Sequence, residues 1–238
     1  MLGLIPARAG SKRLPGKNLL CLLDRPLIAW SINAGKESTI IDDVVVSTED
    51  KEIIQVARKY GADSIIERPS ELASDHASSN DVLIHALDTL SDRGESYSYV
   101  AFLQPTSPLR SAYHIDEAFK LMATKRAGAV ISVCKTEHPV QWMGNLSEDL
   151  VLDGFLKKMK SRPNIENSQQ DYQINGAIYL LSVQRTLQTK TFFPDFGAVA
   201  YIMDRSDSVD IDTLFDFSLA GFILNQRKNS FSDSCKNT

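Results

Sequence analysis

The sequence predicts an α/β fold, a mostly parallel sheet flanked by helices, with an arm projecting from it. Three observations carry this reading. Short apolar runs rich in β-branched residues alternate with helix-period segments from Leu2 to Cys134, the pattern of strands joined by helical crossovers. The residues with chemical potential gather just beyond strand ends, where such sheets place their functional loops. The alternation then breaks between His138 and Tyr172.

In chain order, Leu2–Ala7 reads as a buried strand, followed by a basic loop and a helix over Pro26–Ala34. Asp43–Thr48 is the second long apolar run, and Lys51–Tyr60 has helical spacing after it. A further strand ends before Arg68-Pro69. Over Asn80–Leu90, Val82, Leu83, Ala86, Leu87 and Leu90 share one helical face. Tyr99–Gln104 and Ala129–Cys134 are strands, with a helix over Ala112–Lys125 between them. Residues 138–172 are polar and irregular apart from a short apolar stretch near Leu150–Leu156, too long for an ordinary connection. They read as an arm that packs against something, most simply a second copy of the chain. The core resumes with the strand Gly176–Leu181. A closing helix over Thr213–Gln226 starts with Thr213 and Asp216 as a capping-box variant, and it is apolar on most sides, which predicts burial. The resulting organisation is a Rossmann-like α/β core over 1–137, a projecting arm over 138–172 read as a dimerisation arm, the rest of the core over 173–226 and a frayed polar tail over 227–238.

Composition narrows the class. With 43% apolar and 24% charged residues, the chain is neither disordered nor collagen-like. Lys and Arg number 26 against 30 Asp and Glu, a net charge of −4, which argues against a general nucleic-acid binder. Cys21, Cys134 and Cys235 are far apart and unpaired in pattern, as in a reducing compartment. No apolar run is long enough for a membrane span, and the N-terminus has no leader pattern. A cytoplasmic enzyme or binding protein is the expectation.

After the first strand comes Arg8-Ala9-Gly10-Ser11-Lys12-Arg13-Leu14-Pro15-Gly16-Lys17-Asn18, four cations interleaved with glycines on an acidic chain. Glycines let backbone amides approach an anion closely, and Lys and Arg neutralise phosphate charge. It is not a P-loop: five residues separate Gly10 from Gly16, and Asn18 lacks the hydroxyl that would hold magnesium. A solvated basic turn is the plain alternative; the position after the first strand favours triphosphate binding. Near the other end, Asp210-Ile211-Asp212 is the sharpest acidic constellation. In an extended segment Asp210 and Asp212 face one way and Ile211 the other, and magnesium takes one or two carboxylates with phosphate oxygens and water. Helix capping would explain only one of the two aspartates.

IPARAGSKRLPGKN (5–18) resembles the signature loop of the sugar-activating cytidylyltransferases. The strings VVVSTED (44–50), ERPSELASDHASS (67–79), LQPTSPLR (103–110), NGAIY (175–179) and DSVDIDT (207–213) are similar to the acylneuraminate branch of that family, over about residues 2–225. The resemblance implies transfer of CMP from CTP to a nonulosonic acid, with Arg8 and Lys17 as catalytic charge-stabilising groups. Arg8, Gly10, Ser11, Lys17 and Asn18 would contact the nucleotide, with Lys12 and Arg13 as weaker candidates, and Arg68 and Ser79 would contact cytosine. On bare chemistry Arg68 could be a surface arginine and Ser78 or Ser79 an N-cap. Gln104 would meet the acceptor sugar, although a buried amide at a strand end can be structural, and Arg110 could simply organise its loop. Asn175, Tyr179, Phe192 and Phe193 would line the acylated-sugar pocket, the aromatic pair being equally readable as core. Asp210 and Asp212 would hold Mg2+. The family usually carries an arginine upstream of the NGAIY asparagine for the sugar carboxylate; Arg162 lies too far upstream to match, so the acceptor is open. The resemblance further implies a homodimer. Two alternatives stand beside this reading, a Kdo cytidylyltransferase and a non-catalytic CTP sensor. NGAIY, Phe192-Phe193 and the STED string count against the first, and the aspartate pair against the second.

Overall fold

Val44, Val45 and Val46 show how the sheet is built. Side chains alternate across a strand, so Val44 and Val46 enter one core and Val45 the other. The computed structural model describes residues 1–74, 77–160, 170–194 and 197–234. In chain order its elements are β1 (Leu2–Pro6), β2 (Cys21–Leu22), β3 (Arg25–Pro26), α1 (Leu27–Glu37), β4 (Asp43–Thr48), α2 (Lys51–Lys59), β5 (Ser64–Glu67), α3 (Ser79–Asp92) and β6 (Tyr99–Phe102). They continue with α4 (Ala112–Lys125), β7 (Ala129–Lys135), α5 (Asp153–Lys160), β8 (Tyr172–Ser182), α6 (Val183–Thr189), β9 (Ala198–Ile202) and α7 (Leu214–Ser234).

Among the described residues seven strands form one sheet in the order β5-β4-β1-β6-β8-β7-β9, and β2 pairs with β3 as a separate ribbon. Only β8 runs against its neighbours in the large sheet. On one face, Ile28 and Ile32 of α1, Ile53 of α2 and Ile115 and Met122 of α4 pack against Ile5, Val46 and Ala101. On the other, Leu83, Leu87 and Leu90 of α3 meet Leu2, Leu4, Val45 and Phe102. The fold is therefore the α/β, mostly parallel, helix-flanked architecture that the alternation implies. No helix among the described residues is long and apolar enough to cross a membrane.

Caps fix where helices begin beyond the strand ends. Asp50 accepts from the amides of Glu52 and Ile53, both at 2.8 Å, to start α2. At α3, Ser78 Oγ accepts from Asp81 N at 3.1 Å while the Asp81 carboxylate accepts from Ser78 N, a reciprocal capping box.

The helices α5 and α6 and the strand β9 add to the expected elements, α5 within the segment read as irregular, and three further features differ from the sequence expectation. First, β8 starts at Tyr172, so Asn175-Gly176 lies inside it. The β7–β8 register jumps between Ile131 and Val133, and the side chains of Ser132 and Asn175 replace ladder bonds there: Ser132 Oγ donates to Asn175 Oδ1 at 2.6 Å and accepts from Ile178 N at 2.8 Å. Second, α7 continues through Ser234 instead of fraying from Arg227; residues 235–238 fall outside the described residues. Arg227 donates to the Asp207 carboxylate and to Ser206 O, which anchors the extra turns. Third, α7 is not buried all round. Phe217, Ala220 and Leu224 pack with Leu14, Leu22, Leu27 and Ile211, whereas Leu214, Phe215, Leu219 and Phe222 are exposed. One stripe of a helix can meet one core, and an apolar second stripe needs a second surface.

Candidate active site

Beyond β1 the chain must turn without a helix, because Pro15 removes an amide donor and Gly16 sits at φ +64°, a left-handed conformation natural to glycine. Asn18 is buried and closes the turn, donating from Nδ2 to Arg8 O at 2.9 Å. From the β4 end, Glu49 accepts from Ala9 N at 2.7 Å. The loop is thus held from both sides, and its cations converge. Arg8, Gly10, Ser11, Lys12, Arg13, Lys17 and Asn18 line one cavity of about 300 Å³, with Asp212 as its acidic wall.

A second cavity of about 240 Å³ shares Arg8, Lys17 and Asn18 with the first. Its other walls come from Pro6, from Arg68, Leu72, Ser74, Ala77, Ser79 and Val82, and from Phe102, Gln104, Pro105 and Thr106. The N-cap role falls to Ser78, which leaves the Ser79 side chain to the cavity wall. Arg68 is buried, and two of its nitrogens are anchored to backbone, Nη2 to Ser47 O and Nη1 to Leu72 O at 3.3 Å. Its Nε lies 3.6 Å from Glu49 Oε2. Burial lowers the Arg68 pKa, Glu49 opposes that shift and nearby Arg8 adds to it. Five N–H donors with two spent on backbone leave an arginine able to read a planar ligand.

Asp212 faces the basic loop, with Arg13 Nη2 at 2.8 Å and Lys17 Nζ at 3.4 Å from its two oxygens. Ile211 between the aspartates is fully buried, and its carbonyl accepts from Lys17 Nζ at 2.9 Å. Asp210 is held differently. Desolvation in the concave site, with repulsion from Asp212 and Asp216, keeps its carboxyl above the usual carboxylate range; a hydrogen bond from Thr106 and the charge of Lys17 oppose this. Among the described residues no three of His, Cys, Asp and Glu cluster as metal ligands. A cation held by this pair alone would therefore need oxygens from water or substrate, which suits a hard divalent ion.

Gly176 joins the two sides. Its φ is +74°, and a Cβ there would lie 2.6 Å from Gln104 Oε1 and 3.8 Å from Asp210 Oδ2. Gly176→Ala is expected to cost about 1–2 kcal/mol of stability from the left-handed backbone alone and to push the Gln104 amide out of place. Chemical denaturation of the variant checks the first effect; an unchanged midpoint would show that the backbone there relaxes freely.

The other expected sugar-side residues fall behind or beside this cleft. Asn175 is buried with its amide occupied by Ser132, Ala177 N and, at 2.9 Å, Ser208 Oγ. Phe192 is buried and packs edge-on to Phe102 at 4.8 Å and Tyr179 at 5.2 Å. Phe193 is exposed at 6.2 Å from the Tyr179 ring. Burial, and to a lesser extent the charge of Asp210, push the Tyr179 hydroxyl pKa up. Arg162 lies outside the described residues. Sequence reasoning missed Glu49 and Gly176; the first was signalled only by its place just past a central strand.

A family model for cytidylyltransferases matches residues 2–179. The chain is 41% identical over 230 residues to an N-acylneuraminate cytidylyltransferase of Escherichia coli, covering 96% of this chain and 53% of that protein. It is 34% identical over 220 residues to a pseudaminic acid cytidylyltransferase of Campylobacter jejuni, and 33% over 222 residues to a CMP-N,N'-diacetyllegionaminic acid synthase of Legionella pneumophila. Each of these alignments covers 92% of this chain and 94% of the relative. The chain spans about half the length of the first relative and nearly all of the other two. Its fold is similar to that of a CMP:2-keto-3-deoxy-manno-octonic acid synthetase complexed with CTP, with a TM-score of 0.71 at 16% identity, over 95% of this chain and 98% of that one.

Proposed function

The chain belongs to the cytidylyltransferases, in the branch of the nonulosonic acid enzymes, and from that premise we propose that it transfers CMP from CTP to a nonulosonic acid and releases pyrophosphate. The observation that carries this is the continuous cleft. An anchored arginine and a serine line one cavity with Gln104, and a glycine-rich cationic loop lines the other with Asp212, the two sharing Arg8, Lys17 and Asn18; Asp210 lies beside Gln104 and Gly176. A nucleotide fits that polarity, base towards Arg68 and Ser79 and phosphates towards Arg8, Gly10, Ser11 and Lys17.

In the reaction the anomeric hydroxyl of the acid attacks the α-phosphorus in line. A new P–O bond forms as the hydroxyl gives up its proton to solvent, the bond to the bridging oxygen breaks, and pyrophosphate leaves with its electrons. Such transfer depends mostly on positioning and charge stabilisation. Arg8 and Lys17 offset the charge that accumulates on the phosphate oxygens. Asn18 serves through the loop shape, because its amide is tied to Arg8 O. Gln104 orients the acceptor. Tyr179 and the exposed Phe193 are the apolar groups offered to an N-acyl substituent, and Phe192 and Asn175 support them from behind.

The aspartate pair fits a divalent cation, since Asp210 presents hard oxygen donors whose charge is poorly compensated. We assign the site to Mg2+, which when bound would polarise the α-phosphate. The Arg13 and Lys17 side chains now on Asp212 are the ones a triphosphate would draw to itself.

The test is pyrophosphate release from CTP and Mg2+ with N-acetylneuraminate, legionaminate, pseudaminate or Kdo as acceptor. Release with one N-acylated acid supports the proposal and identifies the acceptor; release with Kdo alone moves the chain to the Kdo branch. Silence on all four with CTP binding intact leaves the sensor reading.

The arm over 138–172 is further assigned to a contact with a second copy. Trp142, Met143, Leu146, Leu150 and Leu152 are exposed on it, a larger apolar surface than a solvated segment ordinarily shows. Sedimentation equilibrium is expected to give a dimer, and a monomer at every concentration would remove this contact.

A further inference from the structure

Arg110 is buried, and none of the ion pairs among the described residues involves it. Burial alone lowers its pKa to about 9, with no compensating acid. A guanidinium desolvated without a carboxylate is costly to keep, and ordering a proline-stiffened turn does not require one. Its donors show what it holds. Nη1 donates to Ala177 O at 2.9 Å and to Gln104 O at 3.2 Å, and Nη2 donates to the buried Ser31 hydroxyl. That hydroxyl in turn donates to Gln104 O at 3.2 Å. The Gln104 carbonyl is therefore held by Arg110 directly and by Ser31 of α1, with the Ser107 amide of its own turn as a third donor at 3.3 Å.

The two carbonyls lie on the side of the cleft assigned above to the acceptor. Gln104 follows β6, and Ala177 follows Gly176 in the irregular part of β8. The two meet where Gln104 Oε1 occupies the space that a Cβ on Gly176 would fill, with Asp210 Oδ2 nearby. The planar fork of arginine fixes two carbonyls and a hydroxyl in one geometry, which the single ammonium of lysine cannot do.

We propose that Arg110 is a positioning residue for the acceptor, setting the Gln104 side chain against Gly176 and Asp210 by clamping the backbone on both sides of their contact. This rests on the reading that Gln104 meets the acceptor. It separates the two substrates: the clamp bears on the acceptor side, while the loop that carries Arg8 and Lys17 and the base end at Arg68 are held by Asn18, Glu49 and Ser47.

The experiment is a double-mutant cycle of Gln104→Ala and Arg110→Lys in the full chain, using the acid of the four-member panel that supports pyrophosphate release. Arg110→Lys is expected to raise the acceptor KM about 10-fold or lower turnover by a similar factor, with the CTP KM changed less than about 2-fold. Joined with Gln104→Ala, the combined effect should fall well short of the product of the single effects. Ser31→Ala, a milder cut in the same clamp, should act in the same direction by about 3-fold, and it carries the test where Arg110→Lys does not fold. Several outcomes overturn the inference. They are equal losses for CTP and acceptor, full additivity with Gln104→Ala, or a lysine variant with wild-type kinetics. If Gln104→Ala alone leaves the acceptor KM and turnover unchanged, the reading of Gln104 falls and the inference falls with it. If Gln104→Ala is damaging and the clamp variants are silent, only the inference falls. No release with any of the four acids overturns both.

Discussion

Asp210→Asn is expected to lower turnover by about 100-fold or more and, in chelator and without nucleotide, to raise the melting temperature. The two effects have one origin. The carboxyl of Asp210 is held above its ordinary value of 3.8, chiefly by desolvation and next by Asp212. Its neutral form is therefore favoured in the folded chain relative to the unfolded one. A folded state that binds the proton more tightly loses stability as pH rises from that ordinary value through the raised one, and the full penalty is present above it. Asn carries no charge and escapes the penalty at neutral pH, so the gap in melting temperature should close as pH falls below the ordinary carboxylate range. Under the proposed function, the charge is kept to hold a divalent cation. Asp212→Asn should also depress turnover, with less effect on CTP affinity, but its stability effect should have the opposite sign, since it loses the partners Arg13 and Lys17. Unchanged turnover would remove either residue from the chemistry, and a melting temperature lowered by Asp210→Asn would show its charge to be fully compensated.

What the sequence made legible follows the range of the interactions involved. The strands β1, β4, β6 and β7 are continuous apolar runs because both their faces are buried, and such runs are visible in isolation. The edge strand β9 alternates between half-buried and exposed residues and has no such signature. The basic loop and the aspartate pair stood out in the sequence because their residues are neighbours there and their spacing suits the proposed chemistry. Glu49 and Gly176 were not, because their roles arise from contacts across the sheet, to Ala9 and Arg68 in one case and to Gln104 and Asp210 in the other. Asn175 is a different case. It stands in a telling motif, yet its amide is occupied in bridging an irregular strand pair. The outer side of α7 was misread for a related reason: periodicity reports how much of a helix is apolar, and burial depends on what lies opposite.

Arg68→Lys is expected to raise the KM for CTP by about 10- to 100-fold with a smaller change in turnover at saturation. Lysine cannot hold Ser47 O and Leu72 O while also presenting donors to a base, so either the anchoring or the recognition must be lost. The damage should also reach the phosphate end, because Glu49 faces Arg68 with one oxygen and holds Ala9 N with the other. Glu49→Gln keeps an acceptor for Ala9 and should therefore be much milder than Glu49→Leu, which frees the loop beside Arg8. The measurement that separates these roles is the ratio of kcat/KM for CTP over UTP. A base contact by Arg68 requires that ratio to fall in Arg68→Lys, because the lost donors are those that distinguish one pyrimidine edge from another. If the KM rises while the ratio stays constant, Arg68 acts through Glu49 on the phosphate loop, and base recognition must lie in Ser79 and the backbone around it.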